Sequence, residues 1–334
     1  MIKSKREAFP MMDEEILRVL RENPSEFVSG EEISRRLKVT RTAIWKRING
    51  LRALGYEVEA SRRLGYRLLR SPDLLSPSEL KGLLNTKWMG HVIHYFQVVD
   101  STNAEAYQLA VRGAGEGEIV IAESQTKGRG RLGRDWFSPP YLNLYLSAVL
   151  RPSMPPHQTS LITLMAAVAV AEAVEEFSGL RPTIKWPNDL LMGNRKLAGL
   201  LNEIQSETDR IHFVILGIGM NLNIVSRHLP RKLRPLATSL KMETGGSVSR
   251  KEFVRCLLGE LETWYETLRH QGGAPILEAW REWAQIRGRP VQVTSFGERL
   301  TGTAIDVDSE GMLILETRDG QQKRVVAGDV EYRE

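Results

Sequence analysis

Apolar positions recur at helical spacing three times in the first 55 residues. Ile16, Leu17, Val19 and Leu20 share one face of a first predicted helix, Ile33 and Leu37 turn inward on a second, and Ile44, Ile48 and Leu51 do so on a third. The second opens on Ser29-Gly30-Glu31-Glu32, a capping box, and the third follows Thr40, a good N-cap. Only Lys38-Val39-Thr40 separates them, the short break of a helix-turn-helix. From Val58 to Leu69 the pattern alternates instead, with Gly65 as the turn of Arg62-Arg63-Leu64-Gly65-Tyr66-Arg67, which predicts a two-stranded basic wing.

Ser71-Pro72-Asp73 reads as a short linker, and Ser76-Pro77-Ser78-Glu79 as the start of a helix and of a new domain. From Ile93 onward, β-rich runs (Ile119–Ala122, Leu144–Leu150, Phe213–Ile218) alternate with helices near 103–112, 159–177 and 251–270. The strands fall mostly in neighbouring pairs, which favours an α+β sheet with helices on one face. Leu161 to Val174 is apolar over about 14 residues, short of the roughly 20 a membrane span needs, and predicts a buried core helix. After Arg287 only short β-type runs remain (Val291–Thr294, Leu300–Asp306, Met312–Glu316, Lys323–Ala327), enough for a small barrel.

Charge sharpens this division. Residues 1–70 carry 16 Lys and Arg against 10 Asp and Glu, and all others carry 30 against 31, so the net +5 arises in the first fifth of the chain. A basic module on a neutral body predicts a polyanion partner for that module. Arg41, Thr42, Trp45, Lys46 and Asn49 fall on the outward face of the third helix and are types that reach phosphates and base edges. The alternative is a small helical domain that binds protein; the charge balance and the basic wing favour DNA. The chain is 42% hydrophobic and 26% charged, as in a soluble globular protein. The basic start Met1–Arg6 gives way to Asp13-Glu14-Glu15 rather than to a signal-peptide core, and the expected compartment is the cytoplasm. A single cysteine, Cys256, excludes an internal disulfide and a multi-cysteine metal site.

The most specific stretch runs from Gln125 through Thr126-Lys127-Gly128-Arg129-Gly130-Arg131-Leu132-Gly133-Arg134-Asp135 to Trp136. Its glycines let backbone approach a ligand, and its guanidinium forks suit phosphate and carboxylate. Without core residues it is expected to be mobile when unliganded. It lacks the Lys-Ser/Thr and flanking helix of a P-loop, and alone it would equally suit a solvated loop or an RNA-binding segment. Its company matters more: Asp100-Ser101-Thr102-Asn103 upstream, where Thr102 and Glu105 also fit a plain capping box, then Lys185-Trp186-Pro187-Asn188-Asp189, Arg195-Lys196-Leu197-Ala198-Gly199 and Gly217-Ile218-Gly219-Met220-Asn221.

With these segments in this order the chain resembles biotin protein ligases over essentially its whole length, and with its N-terminal module the type that doubles as repressor of the biotin operon. The resemblance implies an α+β multidomain fold: a winged helix-turn-helix at 1–70, a ligase domain with a mixed sheet at 76–285, and an SH3-like β-barrel at 286–334. It implies that Ser101, Thr102 and Gln125 bind the ureido head of biotin, that Asn103 also belongs to the biotin site, and that Arg129, Gly130 and Arg131 cover its carboxylate and the α-phosphate. Lys196 is expected at that carboxylate–phosphate junction. Arg134, Trp136, Asn188 and Asn221 are expected on the adenylate side, Lys185 near the triphosphate, and Asp189 beside the acceptor lysine, although a turn role serves Asp189 equally well. Arg131, Lys196, Lys185 and Asp189 form the expected catalytic set, with no resident metal site. The implied cofactors are ATP and Mg²⁺, with biotin as substrate and biotinyl-5'-AMP as intermediate and corepressor. The implied partners are the biotin carboxyl carrier protein of acetyl-CoA carboxylase, operator DNA, and a second copy of the chain when ligand is bound; no membrane is expected. Two alternatives remain: a lipoate-type ligase, which would lack the Gly/Arg loop, and a ligand-sensing transcription factor, in which Arg131, Lys185 and Lys196 would have no reason to persist together.

Overall fold

The structure is a computed structural model and describes residues 7–8, 11–24, 26–295 and 298–333; the basic start at Met1–Arg6 lies outside them. The N-terminal elements are β1 (Glu7–Ala8), α1 (Met11–Glu22), α2 (Gly30–Leu37), α3 (Arg41–Ala53), β2 (Glu57–Ser61) and β3 (Gly65–Arg70). Both expected N-caps form: Ser29 Oγ accepts from Glu32 N at 3.0 Å, and Thr40 Oγ1 from Ala43 N at 3.2 Å. Ile16, Leu17, Ile33, Ile44, Ile48 and Leu51 are fully buried, so the apolar faces read from spacing do meet. Strands β2 and β3 form the wing, Ser61 opposite Gly65. Gly65 has φ +110°, and a Cβ there would strike the backbone of Val28, which bridges to Tyr66. Only glycine fits.

The linker is pinned rather than loose. Asp73 accepts from the backbone N–H groups of Arg250 (2.9 Å) and Lys251 (3.2 Å), and Leu74 and Leu75 are buried. Glu79, nearly buried, is shared by Arg21 and Tyr56 from the N-terminal unit and by Lys251. The expected helix here, α4 (Pro77–Leu80), is one turn long, because Ser76 Oγ meets Ser78 Oγ at 3.0 Å instead of capping a backbone N–H.

The body comprises β4 (Ile93–Val99), α5 (Thr102–Val111), β5 (Ile119–Gln125), β6 (Leu144–Leu150), α6 (Ser160–Ser178), β7 (Thr183–Lys185), β8 (Asp189–Met192), β9 (Arg195–Ser206), β10 (Ile211–Met220), α7 (Leu240–Thr244), α8 (Arg250–Gln271) and α9 (Gly273–Ala284). The strands make one mixed sheet in the order β1-β4-β5-β6-β10-β9-β8-β7, with β4 and β5 parallel and the other pairs antiparallel. Period-two alternation sorts its side chains. Ile119, Ile121, Leu146, Ala148, Leu216 and Ile218 join the core with α6, α8 and α9, while Val120, Val149, Phe213 and Ile215 pack under Ala106 and Ala110 of α5. Helices therefore cover both faces, not the one face expected, because the strands are apolar on both sides. The Ala-rich segment Leu161–Val174 is the buried centre of α6, and no helix among the described residues is long and apolar enough to cross a membrane.

Beneath the sheet Arg250 and Glu123 form a buried ion pair at 2.6 Å. Burial opposes the Arg250 charge, yet the adjacent Glu123 carboxylate holds its pKa above the usual guanidinium value. The tail folds as β11 (Pro290–Ser295), β12 (Glu298–Val307), β13 (Leu313–Glu316), β14 (Gln322–Val325) and β15 (Asp329–Tyr332) in a five-stranded antiparallel sheet ordered β14-β13-β12-β11-β15.

Candidate functional site

The separated motifs converge on one cavity of about 430 Å³ at the strand ends of the sheet. Its floor begins at the β4–α5 corner, where Ser101 rather than Thr102 caps α5, its Oγ 3.5 Å from Ala104 N. Thr102 is thereby freed to donate from N (2.8 Å) and Oγ1 (3.2 Å) to Gln125 Oε1 at the end of β5. Ser147 Oγ donates to Asn103 Oδ1 at 2.6 Å and lies 2.8 Å from Thr102 Oγ1. Asn103 is nearly buried; a Cβ on Gly217 would overlap its carboxamide, so that glycine makes its room. Ser101, Thr102, Asn103 and Gln125 thus form one hydrogen-bonded wall.

The Gly/Arg segment is the lid. A loose loop was expected, but the segment is folded back as a small hairpin: Gly130 N donates to Arg134 O (2.7 Å) and Trp136 N to Gly128 O (2.8 Å). Carboxylates from the body and the tail offset its self-repulsion. Lys127 pairs with Asp100 at 3.3 Å, Arg129 with Glu203 at 3.2 Å, and Arg134 with Asp329. Arg131 differs: its hydrogen bond goes to the neutral Asn188 Oδ1 at 3.1 Å. Burial draws the Arg131 pKa downward, and the nearby Asp329 and Asp189 oppose that. Leu132 is exposed with φ 54°.

Behind the lid, Trp136 lies against two glycines. A Cβ at Gly219 would come 2.5 Å from its ring, and one at Gly199 3.0 Å. The indole Nε1 is buried and has no hydrogen-bond acceptor among the described residues, as suits a donor waiting for a ligand. Lys196 stands 5.4 Å from the Trp136 ring centroid and 2.7 Å from Asp189. Asn188 Nδ2 donates to Leu200 O at 2.7 Å, and Asn221 packs against Asn143, whose Nδ2 is 3.3 Å from Asn221 Oδ1. Of the expected set, Lys185 alone stays outside the cavity lining; it sits on β7, in register with Asp189. A second cavity of about 380 Å³ shares Arg131, Asn188 and Leu200 with the first and reaches past β9 to Gly311 and Val326.

Two counter-charges escaped the sequence reading, as did the lining residues Leu229, Leu233, Leu236 and Ala237. Glu203 lies mid-strand on β9, beyond any motif, and Asp329 opens β15 in a tail read only as structural. A signal was available: a lid with this many cations needs carboxylates nearby, but spacing along the chain does not say which ones.

On α3, Arg41, Thr42, Trp45 and Lys46 are exposed and Asn49 is half-buried. The wing is less basic than its sequence: Glu59 pairs with Arg67 at 2.7 Å and Glu57 with Arg70 at 3.6 Å, while Arg62 and Arg63 at the tip stay exposed.

Three family models match the chain: an HTH domain over residues 13–67, the biotin/lipoate A/B protein ligase family over 95–221, and the biotin protein ligase C-terminal domain over 287–333. The chain is 41% identical over 307 residues to the bifunctional ligase/repressor BirA of Bacillus subtilis, covering 92% of this chain and 94% of the relative. It is 32% identical over 311 residues to the bifunctional ligase/repressor BirA of Escherichia coli, with the same coverage of 92% and 94%. The biotin protein ligase of Aquifex aeolicus, solved in complex with biotin and ATP, superposes with TM-score 0.63 at 27% identity over 73% of this chain and 99% of its own. Motif order, convergence on one cavity, and identity across nine-tenths of the chain agree, and the chain belongs to the biotin protein ligase family, in its bifunctional ligase/repressor branch.

Proposed function

We propose that the chain activates biotin with ATP, transfers it to a lysine of the biotin carboxyl carrier protein, and uses the intermediate as corepressor on operator DNA. The observation that carries this reading is the arrangement of the cavity. A neutral hydrogen-bonding wall (Ser101, Thr102, Asn103, Gln125) faces a cationic lid that includes Arg129, Gly130 and Arg131, with Lys196 and the unpaired indole of Trp136 between them.

The wall suits the ureido head of biotin, whose N–H and C=O groups need both donors and acceptors. The acid end then points toward Arg131 and Lys196. In the first step the biotin carboxylate attacks the α-phosphorus, the bond to pyrophosphate breaks, and biotinyl-5'-AMP forms. Two anions meet, so fixed cations shielded from water stabilise the charge spreading over the phosphoryl oxygens. Arg131, with no carboxylate at hydrogen-bonding distance, is best placed to supply it. When bound with the nucleotide, Mg²⁺ would supply charge neutralisation to the leaving pyrophosphate. Arg134, Trp136, Asn188 and Asn221 hold the adenylate, and Lys185, outside the cavity lining, acts at the outer phosphates.

In the second step a neutral lysine amine attacks the acyl carbon and AMP leaves. Asp189, already 2.7 Å from Lys196, orients the incoming lysine ammonium and accepts the proton whose loss yields that neutral amine. The second cavity, meeting the first at Arg131 and Asn188, gives the amine a path the nucleotide does not use. The domain limits that accompany this reading are 1–70, 76–285 and 286–334, with a barrel-like C-terminal unit. Beyond Leu200, β9 has an open edge among the described strands, suited to edge pairing with a second copy once ligand orders the lid. One experiment decides between substrates: biotin supports exchange of pyrophosphate into ATP and lipoate does not. Equal exchange with lipoate overturns the assignment, and no exchange with either leaves only the sensing role.

A further inference from the structure

Glu203 is a carboxylate that touches both the wall and the lid. It stands on β9 opposite Ile215 of β10, on the stretch of β9 beyond the pairing with β8. Its Oε2 accepts from Asn103 Nδ2 at 2.9 Å, and its Oε1 accepts from Arg129 Nη1 at 3.2 Å. Asn103 is fixed on its other side by Ser147, and its Nδ2 also reaches Leu201 O at 3.2 Å, so the carboxamide has little freedom to turn. Arg129, in contrast, is half exposed on the lid hairpin and spans it to Asp135 by a backbone bridge. A bidentate carboxylate between a fixed amide and a movable guanidinium transmits position from one to the other.

Resting on the reading of the wall as the biotin head site, we propose that Glu203 is a positioning residue for this reaction: it sets Arg129, and with it the lid, in register with Asn103. It does not touch the reacting atoms. The pairs Lys127–Asp100 and Arg134–Asp329 share the lid's charge. Glu203 thereby ties lid position to how the wall is held.

Glu203→Gln keeps the size and an oxygen for Asn103, and replaces the charge facing Arg129 with an amide. The full chain is assayed by pyrophosphate exchange, by dissociation of biotinyl-5'-AMP, and by trypsin cleavage after Arg129 with biotin saturating. A half-exposed pair is worth up to about 1 kcal/mol, so the KM for biotin and the dissociation rate rise about two- to fivefold. The KM for ATP and kcat at saturation stay within error, and cleavage of the biotin-bound lid accelerates. Added to Arg129→Gln, the same change has no further effect, because its partner is already gone. Glu203→Asp, which keeps charge but loses reach, falls between wild type and Gln. An effect of Glu203→Gln that adds fully to Arg129→Gln overturns the proposal, as do unchanged biotin KM and unchanged cleavage. If Glu203→Gln fails to fold, the Asp variant carries the same comparison. Wild-type protein that does not respond to biotin refutes the biotin reading instead.

Discussion

Arg131 Nη1 donates to the Asn188 carboxamide at 3.1 Å, and so binds a neutral oxygen where its lid neighbours Arg129 and Arg134 bind carboxylates. An incoming phosphate or carboxylate can take this guanidinium without breaking an ion pair. A charge-assisted contact of this kind is worth about 1.5–3 kcal/mol, so Arg131→Ala releases biotinyl-5'-AMP roughly ten- to a hundredfold faster. Stopped-flow or filter dissociation measures it, and free anhydride labels bystander lysines. Unchanged release removes Arg131 from the adenylate site.

The two glycines of β10 separate the two halves of the site. Gly217→Ala overlaps the Asn103 carboxamide, and Gly219→Ala brings a methyl 2.5 Å from Trp136. Overpacking costs about 1–3 kcal/mol, roughly a five- to hundredfold change in binding. The expected outcome is a raised biotin KM for Gly217→Ala and a raised ATP KM for Gly219→Ala. Identical effects on both substrates would show that the variants disturb the sheet and not the site.

Lys46 is exposed on the recognition helix. As a phosphate contact, its loss in Lys46→Ala weakens DNA binding across all sequences and lowers the slope of log K against log salt by about 1. Trp45 is more than half exposed; if it reads base edges or shape, Trp45→Ala reduces discrimination between operator and random DNA. Titration at three salt concentrations separates them, and neither variant alters pyrophosphate exchange.

Glu260 lies on α8 against α6. Burial, then the neighbouring Glu172 carboxylate, pushes its pKa from 4.5 to about 7. A carboxyl raised in the folded state favours folding at low pH, and that contribution is lost as pH rises from 4.5 through about 7. Glu260→Gln, unable to ionise, gains on wild type over this window. Denaturant melts at pH 5 and pH 8 check it; an equal difference at both would mean Glu260 titrates normally.

Arg250→Ala leaves the Glu123 carboxylate buried without its partner. Breaking such a pair costs about 3–5 kcal/mol, and the melting temperature falls accordingly. Arg250→Met with Glu123→Leu recovers much of the loss.

The winged unit was legible because its helices are short, capped and amphipathic, each signal local. The body's long helices and central strands were legible for the same reason. Helix α9 was overlooked because Gly273 and Pro275 at its start mask an apolar face of Ile276, Leu277 and Trp280. The β7–β9 ribbon was read as ligand motifs rather than strands, since Trp-Pro-Asn-Asp and Arg-Lys-Leu carry turn and charge signals inside short pairings. Site membership followed from motif order; the counter-charges at Glu203 and Asp329 did not, because ion pairs between distant strands leave no periodicity to read.

Asp73 and Glu79 turn a nominal linker into a strut. With its exit segment nailed to the start of α8 and its helices gripped by Glu79, the DNA-reading unit swings only if the ligase body swings with it. If two copies pair as proposed, the body sets the separation of the two reading heads, like the jaws of a calliper. An operator lengthened by half a helical turn presents its second half-site on the wrong side of the duplex, and no slack in residues 71–76 exists to follow it.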